Sequence, residues 1–409
     1  MAYTSTQGSD ISMIKQEHFT PPLLSHKKME IAGPTRVKLD FLDGIRGLCA
    51  VYIAFYHIVS MGGPAAPSET NWLIRIITLS IQYGYYAVPI FIVLSGFCLM
   101  LPLARTVDSQ FRGGVIQYLR RRARRILPPY FFALILSIVI AVLTAPLQRS
   151  SGGHWNVTLS SPVILGHLFL LHDLFPQLAG NLDPPMWSVA TEWQIYFVFP
   201  FLLLPVWRRF GNAVTLGAAL LIGLGPHLIF GLPTDVGPPW YITLFTFGMI
   251  AAVLCFSNQP HQQKIGQKIP WGAAAGIFCV FWLICVVIHL NWNDYRWISE
   301  LLVGAAAVSL IAAYARLLIQ GTARPLPLGL RLLSSRWATA LGTFSYSIYL
   351  VHFPVIYTVD MILRSLHTPF PIRFAVLFAG AVPLAVALAY LFHLTFERRF
   401  MTEFEKPKQ

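Results

Sequence analysis

From residue 46 onward the chain repeats one pattern, an apolar run followed by a short polar break. A helix needs about 20 mostly apolar residues to cross a bilayer. Runs approaching or reaching that length lie at 46–62, 84–103, 130–147, 187–206, 213–232, 240–256, 271–290, 297–315, 338–358 and 374–394. The pattern predicts an all-α fold: a polytopic membrane helical bundle of about ten transmembrane helices, with no soluble domain. The first and third runs are short, so tilt or local bilayer thinning is expected there. Residues 1–37 are polar and read as a flexible cytoplasmic tail. Residues 38–395 make up the membrane domain, and 396–409 a C-terminal tail. The first 35 or so residues hold no continuous apolar core, so the first helix is expected to act as the signal anchor. The loop 148–186 contains GHLFLLHDLFPQLAG, too short to span and expected to lie at the interface or re-enter.

Composition agrees with the pattern. The 409 residues are 56% hydrophobic and 11% charged, against about 25% charged in soluble domains. Net charge is +13, yet the basic residues gather in a few polar loops, so a membrane rather than nucleic acid is the expected partner. With the N-terminus inside, inner segments hold 23 Lys and Arg, outer loops hold 5, and Arg46 and Arg316 lie at span ends. That asymmetry predicts cytoplasmic termini at both ends. The sequon Asn156-Val157-Thr158 then falls in an outer loop, where it is a glycosylation acceptor. Cys49, Cys98, Cys255, Cys279 and Cys285 sit inside apolar runs without CxxC spacing, which favours neither disulfides nor a zinc site.

Ionisable residues inside apolar runs are costly and usually functional. The stretch KLDFLDGIRGLCAVYIAFYHI, residues 38–58, carries Arg46 at its start and His57 deep within. Their 11-residue separation is about three helical turns, so they share a face roughly 16 Å apart. In a soluble core His57 would be a packed histidine; in a span it reads as functional. YLRRRARRILPPY, residues 118–130, precedes the third run. Some of its arginines are membrane anchors, but Arg122 and Arg125 are one turn apart and suited to bidentate phosphate binding. Pro128 and Pro129 are expected to break or kink the chain there.

MWSVATEWQIYFVFPFLL, residues 186–203, places Glu192 well within a span, with Ser188 and Tyr196 on the same face. TFSYSIYLVHFPVI, residues 343–356, puts Ser345, Tyr349 and His352 on one face. In VPIFIVLSGF, residues 88–97, Ser95 and Gly96 are small and expected to serve helix packing. The histidines and Glu192 form a candidate acid–base set, and the arginines a candidate anion clamp. Proton transport and acyl transfer both fit at this level.

R-x10-H within FLDGIRGLCAVYIAFYH resembles the signature of the acyltransferase 3 family of integral membrane acyltransferases. IFIVLSGF, RRARRILPPY, MWSVATEWQIYFVFP, SYSIYLVHFP and FERRF follow in the family's order, covering about 40 to 400. The resemblance implies a ten-span fold that moves an acyl group, often acetyl, from cytoplasmic acyl-CoA to a hydroxyl. It implies an essential histidine at His57 with Arg46 as companion, and CoA phosphates at Arg122 and Arg125. Glu192 matches the family's acidic position and His352 its later histidine. The short tail and WSVATEWQIYFVFP resemble the fungal, stand-alone branch, some members of which act in natural-product pathways.

The expected function is therefore an O-acyltransferase with acyl-CoA as co-substrate and no bound cofactor or metal. His57 is expected as general base, tuned by Glu192, with His352 as a further catalytic candidate. The acceptor is expected to be a lipophilic small molecule, with a cell-surface carbohydrate as the alternative. A proton-coupled transporter using His57, Glu192 and His352 as a relay is the rival class.

Overall fold

The computed structural model describes residues 37–60, 72–106, 108–151, 155, 157–230, 237–288, 295–321 and 325–401. Asn156 and most of both expected tails lie outside them. The described residues from Leu39 onward form one compact unit. The helices are α1 (Asp40–Ser60), α2 (Trp72–Ile81), α3 (Ala87–Ala104), α4 (Gly114–Ser151), α5 (Ser161–Leu168), α6 (Pro176–Ala179), α7 (Trp187–Val198), α8 (Leu204–Phe230) and α9 (Tyr241–Phe256). They continue as α10 (Pro260–Lys268), α11 (Trp271–Val287), α12 (Arg296–Gln320), α13 (Leu328–Leu333), α14 (Arg336–Thr343), α15 (Ser345–Ser365), α16 (Phe370–Val376), α17 (Val382–Phe392) and α18 (Arg398–Met401). No strand occurs among the described residues. The last helical run continues past residue 395 to Met401, with Glu397 buried.

Seven helical runs among the described residues are long and apolar enough to cross a membrane, or eight if one bent pair counts as a span. The expectation of ten is corrected at three places. Two expected spans fall in one run, Pro184–Ile229, of 46 residues, turned inside by Gly211 at φ 78°. α9 has 16 residues and reaches spanning length only with α10, from which it is bent by 107°. α11 ends after 17 residues.

The first and third spans are not short. α1 has 21 residues and α4 has 38. Nor does the chain break at Pro128–Pro129, since α4 runs through both and through Pro146. A proline removes its own N–H bond to the residue four back, a local loss that flanking turns and neighbouring helices can carry.

Small residues set the closest contacts. A Cβ on Gly96 of α3 would stand 2.0 Å from the carbonyl oxygen of Phe245 in α9, and one on Gly248 2.0 Å from that of Val93. Backbone therefore meets backbone along the α3–α9 seam. α1 and α14 meet the same way, where a Cβ on Gly47 would lie 2.6 Å from the Gly342 nitrogen.

GHLFLLHDLFPQLAG forms short helices and a turn rather than a span. Its buried Asp173 accepts hydrogen bonds from Thr191 at 2.7 Å and Gln194 at 2.6 Å. Asp183, 1% exposed, accepts from Ser137 at 2.7 Å. Burial pushes the Asp183 carboxyl up to about 7. It pushes Asp173 up to about 6, against the opposing bonds from Thr191 and Gln194. Burial, with the stacked His167 ring 3.9 Å away, lowers His172 to about 3.

Candidate active site

α1, α3, α4, α7 and α15 enclose a cavity of about 120 Å³. Arg46, Arg122 and Arg125 line it, together with a single carboxylate, Glu192. With Arg46 paired to Asp43, Arg122 and Arg125 against Glu192 still leave an excess of one positive charge, an environment for an anion. Arg46 is tied to Asp43 at 2.9 Å and reaches the Cys98 sulfur at 3.1 Å. Arg122 and Arg125 have no hydrogen bond or ion pair among the described residues, and the Arg122 Nε is buried without a partner. The one-turn spacing thus brings both onto the cavity.

Glu192 is held rather than paired. Its Oε1 accepts hydrogen bonds from Ser95 and from the Tyr196 hydroxyl, the latter at 2.5 Å. Ser188, Glu192 and Tyr196 share the cavity face of α7, and Ser345 and Tyr349 that of α15. Tyr349 donates to the Pro185 carbonyl at 2.7 Å and stands 2.6 Å from the Ser188 hydroxyl. One proton on Tyr349 serves the carbonyl, so Ser188 donates to Tyr349.

Beyond Tyr349 lie the histidines. The His352 ring centre is 5.7 Å from that of Tyr349, and His57 is 5.0 Å from His352. His352 Nδ1 lies 3.0 Å from the Ile348 carbonyl, which can only accept, so Nδ1 carries the proton. Its Nε2 is buried with no partner among the described residues and keeps a free lone pair. His57 Nδ1 is 3.1 Å from the Ser60 hydroxyl, whose own proton points to the His57 carbonyl at 3.3 Å. Ser60 can donate instead to Nδ1, so both neutral tautomers of His57 fit these contacts.

The expected pairing of His57 with Glu192 is corrected. Glu192 bonds Ser95 and Tyr196, whereas His57 contacts Ser60, Tyr56, His352 and Phe353. Ser95, assigned to packing by sequence, instead holds the cavity carboxylate, while Gly96 beside it does the packing. Cys98 and Tyr346 also line the cavity and were not anticipated. Another buried histidine, His393, sits 2.8 Å from Glu397, which also accepts from Ser347 at 2.5 Å. The i, i+4 spacing within HLTFE was a readable signal for that pair.

Residues 39–390 match the family model of the Acyl_transf_3 acyltransferase domain. The chain belongs to the acyltransferase 3 family. Acyl-group transfer is the reaction class named in the description of that family model. O-acetyltransferase OatA of Staphylococcus aureus is 23% identical over 343 residues, covering 79% of this chain and 51% of that protein. Peptidoglycan O-acetyltransferase OatA of Listeria monocytogenes is 22% identical over 338 residues, covering 79% and 50%. Acyltransferase MdmB of Streptomyces mycarofaciens is 27% identical over 354 residues, covering 79% and 80%. The chain thus spans about half the length of the two OatA relatives. No solved structure matches it significantly. These relatives are bacterial, and the resemblance to a fungal stand-alone branch finds no support among them.

Proposed function

We propose that the protein transfers an acetyl group from acyl-CoA, entering from the cytoplasm, to a hydroxyl of a cell-surface carbohydrate. The observation that carries this reading is the alignment of two chemistries along one path. Unpaired arginines stand at one end of the cavity, and two imidazoles lie beyond Tyr349 at the other. Arg122 and Arg125 would hold the CoA phosphates, with both chain termini cytoplasmic as the charge asymmetry predicts. The thioester arm would extend past Glu192 toward Tyr349. A histidine Nε2, of His57 or His352, takes the proton of the acceptor hydroxyl. The oxygen attacks the thioester carbonyl, the carbon–sulfur bond breaks, and the imidazolium returns the proton to the departing CoA thiolate.

Glu192 then offsets part of the arginine charge and leaves the thioester arm room, instead of tuning His57. The Listeria relative, a peptidoglycan O-acetyltransferase, supports the carbohydrate acceptor over the lipophilic natural product, and family membership weighs against a proton-coupled transporter. The test uses purified protein in nanodiscs with acetyl-CoA, with and without a chitin oligosaccharide. Release of CoA thiol stimulated by the sugar, with acetylated sugar as product, is expected. Absence of acetyl transfer to the sugar, with transfer to a lipophilic alcohol in its place, would overturn the acceptor assignment.

A further inference from the structure

Beside His57, aromatic rings adjoin an ion pair whose carboxylate is buried. The Tyr56 ring is 5.2 Å from His57 and 5.6 Å from Tyr85. Tyr85 lies 4.2 Å from Tyr86, and Tyr86 meets Trp282 edge-on at 5.5 Å. The Arg296 guanidinium is 5.9 Å from the centre of the Tyr85 ring, and its Nε donates to Glu300 at 2.7 Å. Glu300 is fully buried and also accepts from the Trp240 indole at 2.7 Å, whereas the Arg296 side chain is 39% exposed. The Glu300 carboxylate therefore fixes a guanidinium whose far side remains accessible.

Aromatic residues at membrane interfaces usually form a belt facing lipid. Trp72 and Trp337, at 71% and 72% exposure, have that character. The cluster beside His57 does not. Its rings stack on one another and on a guanidinium. Tyr86 is 4% exposed, and its hydroxyl, buried like the Trp282 indole N–H, has Trp282, Ser299 and Tyr85 within polar reach.

We propose that Tyr56, Tyr85, Tyr86, Trp282 and Arg296 form the acceptor subsite, which takes a pyranose ring. This rests on the carbohydrate reading above and extends it to a site. A sugar presents one apolar face of C–H groups, matched to aromatic rings, and an edge of hydroxyls, matched to a charged donor, the accessible side of Arg296. Occupation of the cluster sets the neighbouring sugar hydroxyl toward His57, next to Tyr56.

The test is steady-state kinetics of the full chain in nanodiscs, with chitotetraose as acceptor probe and acetyl-CoA as donor. Tyr85→Ala and Arg296→Gln are each expected to raise the chitotetraose KM about tenfold, the scale of one lost specific contact, with the acetyl-CoA KM unmoved. Tyr85→Phe, which keeps the ring, is expected to stay near wild type. Trp72→Ala, a lipid-facing control, is expected to leave turnover unchanged. Chitotetraose kinetics in Tyr85→Ala equal to wild type would overturn the subsite while leaving the carbohydrate reading standing. Wild-type protein that neither binds nor acetylates chitotetraose would remove the reading and the subsite together. Parallel rises in donor and acceptor KM would mark the cluster as structural and also overturn it.

Discussion

Arg122 offers the sharpest separation between binding and stability. Its Nε is buried and unpartnered, and Arg46 and Arg125 line the same cavity. In the free protein the guanidinium therefore contributes repulsion and an unsatisfied donor. An unmade buried hydrogen bond costs about 1–3 kcal/mol, and the half-buried position of Arg122 puts the cost toward the lower end. With a CoA phosphate in place the same group makes a charge-assisted bond of about 1.5–3 kcal/mol. At about 1.4 kcal/mol per decade, Arg122→Ala should raise the acetyl-CoA KM by roughly 10- to 150-fold. The Tm of the free protein should stay level or rise by about 2 °C. Arg122→Lys keeps the charge but loses the planar fork, so it should recover only part of the affinity. The assays are donor titrations of CoA release and a thermal melt of free protein in detergent. A fall in Tm with an unchanged donor KM would refute the reasoning, because it would make Arg122 a structural cation.

Three further outcomes are expected. His57→Gln and His352→Gln should each be compared with wild type in single-turnover acetyl transfer. The variant of the histidine that serves as base should lose about 10²–10⁴ in rate with donor binding retained, and full rates in both would exclude imidazole catalysis. Burial holds Asp183 near 7, above its unfolded value of about 4, so the folded form binds that proton more tightly. Its contribution is complete below pH ~4 and is lost as pH rises through 7. Asp183→Asn should therefore gain Tm over wild type progressively from pH 5 to pH 8, and parallel melting curves would contradict this. Tags at both chain ends should be accessible only from the cytoplasmic side of intact vesicles; protection by a lumenal position would reverse the topology.

The sequence showed most clearly the groups that cost most to bury. Arg46, Glu192, His57 and His352 stood out because a charge or an imidazole in an apolar run has few structural uses. Ser95, Cys98 and Tyr346 did not, since each is common in membrane helices and becomes informative only when a neighbouring helix supplies its partner. Helical spacing gave faces correctly: Ser188, Glu192 and Tyr196 share one wall. It could not say which face meets which, and so Glu192 was matched to His57 when its bonds go to Ser95 and Tyr196. The span count failed for a related reason. Hydropathy marks apolar length, whereas the bend after α9, the turn at Gly211 and the end of α11 are set by local backbone and by packing. Pro128 and Pro129 were expected to break or kink the chain because a proline weakens an isolated helix, yet α4 continues through them without a break.

The glycine seams carry a mechanical consequence. Where α3 meets α9 at Gly96 and Gly248, and α1 meets α14 at Gly47 and Gly342, no side chain lies between the backbones to act as a bearing. Each pair behaves as a stiff plate, and α1 and α3 bring the two plates to the cavity they line with α4, α7 and α15, where Arg46 reaches Cys98. Plates of this kind do not slide, so passage of an acyl group cannot depend on helices shearing past one another. The compliant part is the side-chain layer in the cavity. A rotation of Tyr349 about its own bonds, costing its contacts to Pro185 and Ser188, is the smallest movement that joins the two compartments. The protein is in that sense a rigid frame with a turnstile: the frame keeps the bilayer sealed while one aromatic ring turns.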